Sequence, residues 1–303
     1  MLSKKALLFL ALAYALAWTL GLGFFALGGR LDSGAFVAMA LAYMFAPATA
    51  AIITQTLIWK EPLRELGFRN PRLPGLALAW LLPVLLVMVA LAFSLALPGV
   101  SWAKGLDALG VAMAGKLPPE QAAEALKHLE HSFLAKPGVL LLVSFFQVLT
   151  AGPTINAVAA LGEELGWRGL LLRELEPLGF WRSSFVIGFF WGLWHLPLIV
   201  AGYNYPGHPV AGPIMMTALT VLLSPLLGYV RWRAQSVFAA AVFHGTFNAA
   251  ATLMIFLKGG TPLTIGVTGV IGLITFLLAD ATLWLHLQRQ HATGDRWMAS
   301  PPT

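Results

Sequence analysis

The chain has 303 residues, 58% of them hydrophobic and 11% charged, with a mean hydropathy of +0.79. These proportions exclude an ordinary water-soluble domain and place the chain in lipid. Its net charge of +6 requires no nucleic acid as partner, because juxtamembrane Lys and Arg face anionic headgroups, and the absence of cysteine excludes disulfides, thiolate metal sites and a cysteine nucleophile.

A helix crossing the hydrocarbon needs roughly 20 apolar residues. Eight segments meet that requirement, at 6–27, 35–59, 75–98, 138–162 or beyond, 182–201, 210–230, 235–257 and 262–286. The expected fold is therefore all-α: a polytopic bundle of about eight transmembrane helices, with residues 1–303 forming one membrane domain around an internal polar cavity. No internal repeat or Gly/Ser linker divides it.

The first segment follows Met1-Leu2-Ser3-Lys4-Lys5, as a signal peptide would, but its apolar run continues to Leu27, too far for a cleavable core. It is expected to stay as the first helix. With the N-terminus inside, 13 of the 19 basic residues fall on the cytoplasmic side, which selects that orientation. Both termini are expected in the cytoplasm, and the chain in a bacterial or archaeal cytoplasmic membrane.

Residues 60–74 mix charged and apolar residues and read as a cytoplasmic interfacial loop. On the outer side, 99–137 is expected to carry a short amphipathic helix, entered at Pro118-Pro119 with Glu120 and Glu124 following. His128 and His131 in it have a spacing that metals use, but they read as part of a solvated helix face. Trp59, Trp181, Trp232 and Trp297 fall at helix boundaries and read as an aromatic belt.

The fourth segment contains Gly152-Pro153, where a kink is expected and a helix restarts near Thr154. Beyond it lies Leu161-Gly162-Glu163-Glu164-Leu165-Gly166-Trp167-Arg168-Gly169. Charged groups at bilayer depth cost several kcal/mol each, so two adjacent carboxylates there are a functional hypothesis. Glu164 and Arg168 are i, i+4 partners in the favourable acid-first order. One arginine leaves the second carboxylate without a counterion, which argues against a purely structural ion pair.

The fifth segment carries His195 behind Phe190-Trp191-Gly192-Leu193-Trp194, and the seventh places His244 and Asn248 on one helical stripe. In the last segment Asp280 is expected near the inner end, with its side chain reaching the interface. Three helices thus bring polar groups to similar depth. A desolvated Glu is a competent general base, and a histidine can share its proton. Water between Glu163 and His195 would become a nucleophile, while His244 and Asn248 suit a tetrahedral oxyanion. The constellation reads as peptide hydrolysis.

The motifs Glu-Glu-x-x-x-Arg at Glu163, Glu164 and Arg168, aromatic-x-x-x-His at Trp191 and His195, and His-x-x-x-Asn at His244 and Asn248 resemble those of the CPBP intramembrane endopeptidases. That family includes type II CAAX prenyl proteases and bacteriocin-processing, immunity or abortive-infection-type membrane proteins. The resemblance covers roughly 138–257, the expected catalytic core. It implies that Glu163 and His195 activate the water, that His244 and Asn248 form the oxyanion site, and that Glu164, Arg168 and Trp191 support the geometry or touch substrate. Trp191 and Trp167 stand where the family usually shows Phe.

The expected partner is a membrane-associated or lipidated peptide or protein in the bilayer, with no nucleic acid and no required cofactor. Two rivals remain. Zinc held by Glu163, His195 and His244 would give a metal-dependent version of the protease, although no His-Glu-x-x-His is present. A non-catalytic peptide-binding, immunity or scaffold protein would use the same cavity without turnover. A transporter is disfavoured by the lack of repeats.

Overall fold

The computed structural model describes residues 2–113, 119–136 and 138–292; Pro118, Arg296 and Trp297 lie outside them. The chain enters the bundle through α1 (Lys4–Ala26), whose start is capped by the Ser3 hydroxyl accepting from the Ala6 N–H. α2 (Gly34–Ile52) runs antiparallel to it and ends in a π turn over Ile53–Ile58. The loop that follows contains a 3₁₀ turn, Leu63–Leu66, and leads into α3 (Leu73–Leu95), which has proline in its first turn.

The segment expected on the outer side holds two short helices among the described residues, α4 (Leu106–Met113) and α5 (Pro119–Leu129). α5 is the amphipathic helix expected there; α4 carries no comparable start signal in the sequence. The two-residue strand β1 (Ser101–Trp102) pairs antiparallel with β2 (Leu257–Lys258). Trp102 stacks on Phe256, with centroids 5.1 Å apart and planes 5° from parallel. This ties the outer segment to the end of the seventh apolar segment.

The fourth apolar segment is helical throughout Val139–Leu178. It comprises α6 (Val139–Thr150), a π turn at Gly152–Asn156, α7 (Ala157–Glu164), a second π turn at Leu165–Leu171, and the single turn α8 (Leu172–Leu175). The kink expected at Gly152-Pro153 is a widened turn, not a break. At 1.5 Å per residue, 40 residues reach about 60 Å, twice the thickness of a hydrocarbon core.

The fifth segment is α9 (Phe180–Trp194) followed by α10 (Leu196–Val200), divided at His195. Pro197 in the first turn of α10 supplies no N–H for a continuous helix. α11 (Ala211–Ala234), α12 (Val237–Ala251) and α13 (Val270–Ala292) complete the bundle. Among the described residues seven helices are long and apolar enough to cross a bilayer. The eighth expected span, 182–201, falls short as a single helix because of its division at His195.

Lys5 lies within ion-pair distance of Glu61 (2.5 Å) and Glu174 (3.6 Å), and Arg173 pairs with Glu61 and Glu65. These contacts put the start of α1, the 60–72 loop and the end of the 139–178 segment on one face, here called the basal face. The bonds from Arg72 N–H to the Ala234 carbonyl and from Val237 N–H to the Gly67 carbonyl bring the α11–α12 turn to the same face. Strand β1 with β2 marks the opposite face. The first helix is thereby an integral part of the bundle.

Candidate active site

Close approach of helix backbones builds the site, and glycines permit it. On α7 and its π turn, Gly162 faces the Met44 carbonyl and Phe45 of α2, Gly166 faces Pro47 and Phe9, and Gly169 faces the Leu66 carbonyl. A side chain at any of these positions would collide with a neighbour. The glycine stripe presses this helix against α2, while Glu163, Glu164 and Arg168 project from its other sides into the protein. Gly188 and Gly192 of α9 likewise rest on Thr217, Thr220 and Val221 of α11, and Gly245 of α12 rests on the backbone of Asn156 and Ala157.

The charged groups so placed are buried: Glu163 is 3% exposed, Glu164 0% and Arg168 1%. Glu164 Oε1 accepts from Arg168 Nη1 at 3.1 Å and from His244 Nδ1 at 2.8 Å. The pairing expected between Glu164 and Arg168 is therefore present, and His244 joins it. Arg168 also donates through Nη2 to the Ser224 hydroxyl of α11 at 3.2 Å. Glu164 Oε2 is buried and takes no partner among the described residues.

Glu163 has a different environment. Its Oε2 accepts from the indole Nε1–H of Trp191 at 2.7 Å, while its Oε1 takes no hydrogen bond among the described residues and is not fully buried. Trp191 also meets Arg168 and both histidines. The Arg168 guanidinium lies 4.5 Å from its ring centroid, a cation–π distance, and the rings of His244 and His195 lie 5.2 Å and 5.8 Å away.

His195 occupies the division between α9 and α10. Its Nδ1 lies 2.8 Å from the Trp191 carbonyl oxygen; a carbonyl only accepts, so Nδ1 carries the proton, and Nε2 of the neutral ring keeps its lone pair. The Trp194 carbonyl, freed where α9 stops, is satisfied from α1 and α2 by the Tyr43 hydroxyl at 2.6 Å and the Trp18 indole at 3.1 Å, and the Tyr14 hydroxyl donates to the Phe190 carbonyl one turn earlier at 2.6 Å. Division of a helix in lipid requires such partners, so these aromatic residues hold His195 in place.

The stripe expected from His244 and Asn248 divides between two environments. His244 is 5% exposed, whereas Asn248, one turn on, is exposed and its side chain makes no hydrogen bond among the described residues. The three residues of the zinc alternative, Glu163, His195 and His244, do not converge: among the described residues no three His, Asp or Glu groups are arranged to share a metal ion. Asp280 does not reach the interface. It is 6% exposed, with both carboxylate oxygens buried and without a partner among the described residues. His128 is exposed on α5, as expected of a solvated helix face, whereas His131, also exposed, lies in the turn after the helix ends at Leu129.

Sequence reading misses Ser224, Tyr14, Trp18 and Tyr43. The three tyrosine and tryptophan side chains had no motif to mark them, and Ser224 is one hydroxyl among several in α11. The glycines at 162, 166, 188, 192 and 245 were legible as small-x-x-x-small spacings, the signal that would have identified the helix contacts.

Residues 138–250 match the family model described as type II CAAX prenyl endopeptidase Rce1-like. The chain is also 31% identical over 104 residues to a protein of Methanococcus maripaludis named CAAX prenyl protease 2, a stretch covering 32% of this chain and 38% of that protein. The chain thus matches well under half the length of that relative. The matched family region contains every residue of the group around Trp191.

Proposed function

We propose that this chain, whose residues 138–250 match the type II CAAX prenyl endopeptidase Rce1-like family model, is an intramembrane endopeptidase cleaving a membrane-associated or lipidated peptide through water activated by Glu163 and His195. The observation that carries the reading is the unequal state of the two adjacent carboxylates. Glu164 is bound to Arg168 and His244, whereas Glu163 is anchored by one oxygen and free at the other.

In this mechanism Glu163 Oε1 takes a proton from water as its oxygen bonds to the peptide carbonyl carbon. His195 Nε2 accepts a second hydrogen bond from the same water, its ring held by the Trp191 carbonyl. Glu164 accepts from His244 Nδ1–H, so in this scheme His244 acts as the imidazolium, whose second proton, on Nε2, faces the developing oxyanion. The Asn248 amide donates beside it from the exposed end of the stripe, where substrate enters. When the tetrahedral intermediate collapses, the C–N bond breaks and the departing nitrogen takes the proton that Glu163 accepted. This scheme uses no metal: the water is activated by Glu163 and His195 alone.

The test compares newly formed peptide termini in host membranes carrying the wild-type chain or Glu163→Gln at equal abundance, with and without chelator. Termini that vanish with Glu163→Gln and persist with chelator support the proposal. Loss with chelator restores the zinc reading, and identical termini in both membranes leave a peptide-binding protein without turnover.

A further inference from the structure

The basal face separates its charges. The acids of the 60–72 loop, Glu61 and Glu65, face Lys5 and Arg173. The arginines on the other side, Arg69, Arg72, Arg231 and Arg233, have no acidic partner among the described residues. Arg69 is joined to the α11–α12 turn by the Ser236 hydroxyl, which donates to its carbonyl, and Arg72 donates its N–H to the Ala234 carbonyl. The loop therefore lies against the last turn of α11, which carries Arg231 and Arg233.

Arg231 is the informative member. Its guanidinium lies over Gly67, in the space a Cβ would take; Gly67 has φ 91°, so a side chain there would be strained as well as crowded. Arg231 Nε is buried without a partner, and no acid pairs with Arg231 among the described residues. Arg69 lies two residues beyond Gly67, and its N–H bonds to the Gly67 carbonyl at 2.9 Å, which sets it on the same turn that the Arg231 guanidinium covers. An arginine seated on this turn with no acid paired to it among the described residues, and a second arginine on the turn itself, offer the N–H donors that bind a phosphate. The first turn of α3, which starts beside them at Leu73 without a side-chain cap, adds the positive end of a long helix.

We propose that Arg69 and Arg231, with Arg72 and Arg233 at the rim, form a phosphate-binding site at the basal face, its ligand the phosphate of an anionic lipid headgroup or the free ion. The site is independent of the catalytic reading. It also holds the 60–72 loop against α11, and that loop meets the catalytic helix at Gly169 through the Leu66 carbonyl.

The experiment uses the full chain in uncharged detergent, as wild type, Arg69→Gln, Arg231→Gln and Arg64→Gln, the last removing an exposed arginine of the same loop. Native mass spectrometry with phosphatidylglycerol and phosphatidylcholine measures lipid retention, and thermal unfolding with inorganic phosphate tests the free ion. Phosphatidylglycerol is expected to be retained over phosphatidylcholine by wild type and Arg64→Gln, and about tenfold less by Arg69→Gln and Arg231→Gln. Stabilisation by inorganic phosphate that Arg69→Gln abolishes would support the same site with the free ion as ligand. Arg69 is exposed, so its variant decides the matter if Arg231→Gln fails to fold. Retention unchanged in Arg69→Gln, or reduced equally by Arg64→Gln, would overturn the proposal in favour of general surface charge.

Discussion

The indole N–H of Trp191 donates to Glu163 Oε2 at 2.7 Å, while the Trp191 carbonyl holds Nδ1 of His195 at 2.8 Å. One residue thus orients both groups proposed to act on the water, its side chain serving one and its main chain the other. Trp191→Phe removes the N–H, keeps an aromatic ring, and leaves the His195 anchor untouched. Turnover is expected to fall on the order of 10- to 100-fold, the cost of one buried charge-assisted hydrogen bond, with little change in thermal unfolding. Wild-type kinetics in this variant would remove Trp191 from the positioning of Glu163.

The adjacent carboxylates are expected to separate into different phenotypes. Glu163→Gln keeps an acceptor for the Trp191 N–H and should abolish turnover without lowering stability. Glu164→Ala leaves the Arg168 guanidinium buried without its counterion and is expected to destabilise by about 3–5 kcal/mol. Thermal unfolding and turnover measured on both variants check the assignment, which fails if the two behave alike.

Gly245 rests on the Asn156–Ala157 backbone, which cannot move aside as a flexible side chain can. Gly245→Val should separate α12 from α7 and pull His244 from Glu164. Activity and melting temperature are both expected to drop, whereas Gly23→Val, at a position with open space around it, should leave both unchanged.

At the basal face the Glu61 carboxyl is held below the usual carboxylate range, first by the hydrogen bond from Lys5 and further by the charges of Lys5 and Arg173. A lowered folded-state value means that this stabilisation is complete above the unfolded carboxylate value of about 4.3 and is lost as the pH falls through the lowered one. Glu61→Gln should therefore be less stable than wild type at neutral pH and converge with it in acid. A stability difference that does not shrink on acidification would contradict the pairing.

Asp280 places a carboxyl in the bundle with neither oxygen partnered among the described residues. Replacing it by an apolar residue of similar size, Asp280→Leu, is expected to raise stability by about 1–3 kcal/mol, read by thermal unfolding, with turnover unchanged. Loss of turnover in a well-folded Asp280→Leu protein would give this residue a role in the reaction.

The sequence alone determined the solvent, the helical class and the identity of the polar group, because each rests on local chemistry. Long apolar runs must be helices where no water satisfies the backbone, and carboxylates in lipid stand out by their cost. The i, i+4 spacing sufficed to pair Glu164 with Arg168 and to place His244 and Asn248 on one helix. What no spacing within one helix contains is the relation between helices. Only the tertiary structure decided that Glu164 receives His244, that Trp191 joins Glu163 to His195, that Asn248 is exposed while His244 is buried, and that Asp280 stays inside. Those outcomes depend on how closely glycines let helix backbones approach and on which distant hydroxyls and indoles cap a divided helix, contacts made between residues far apart in the chain.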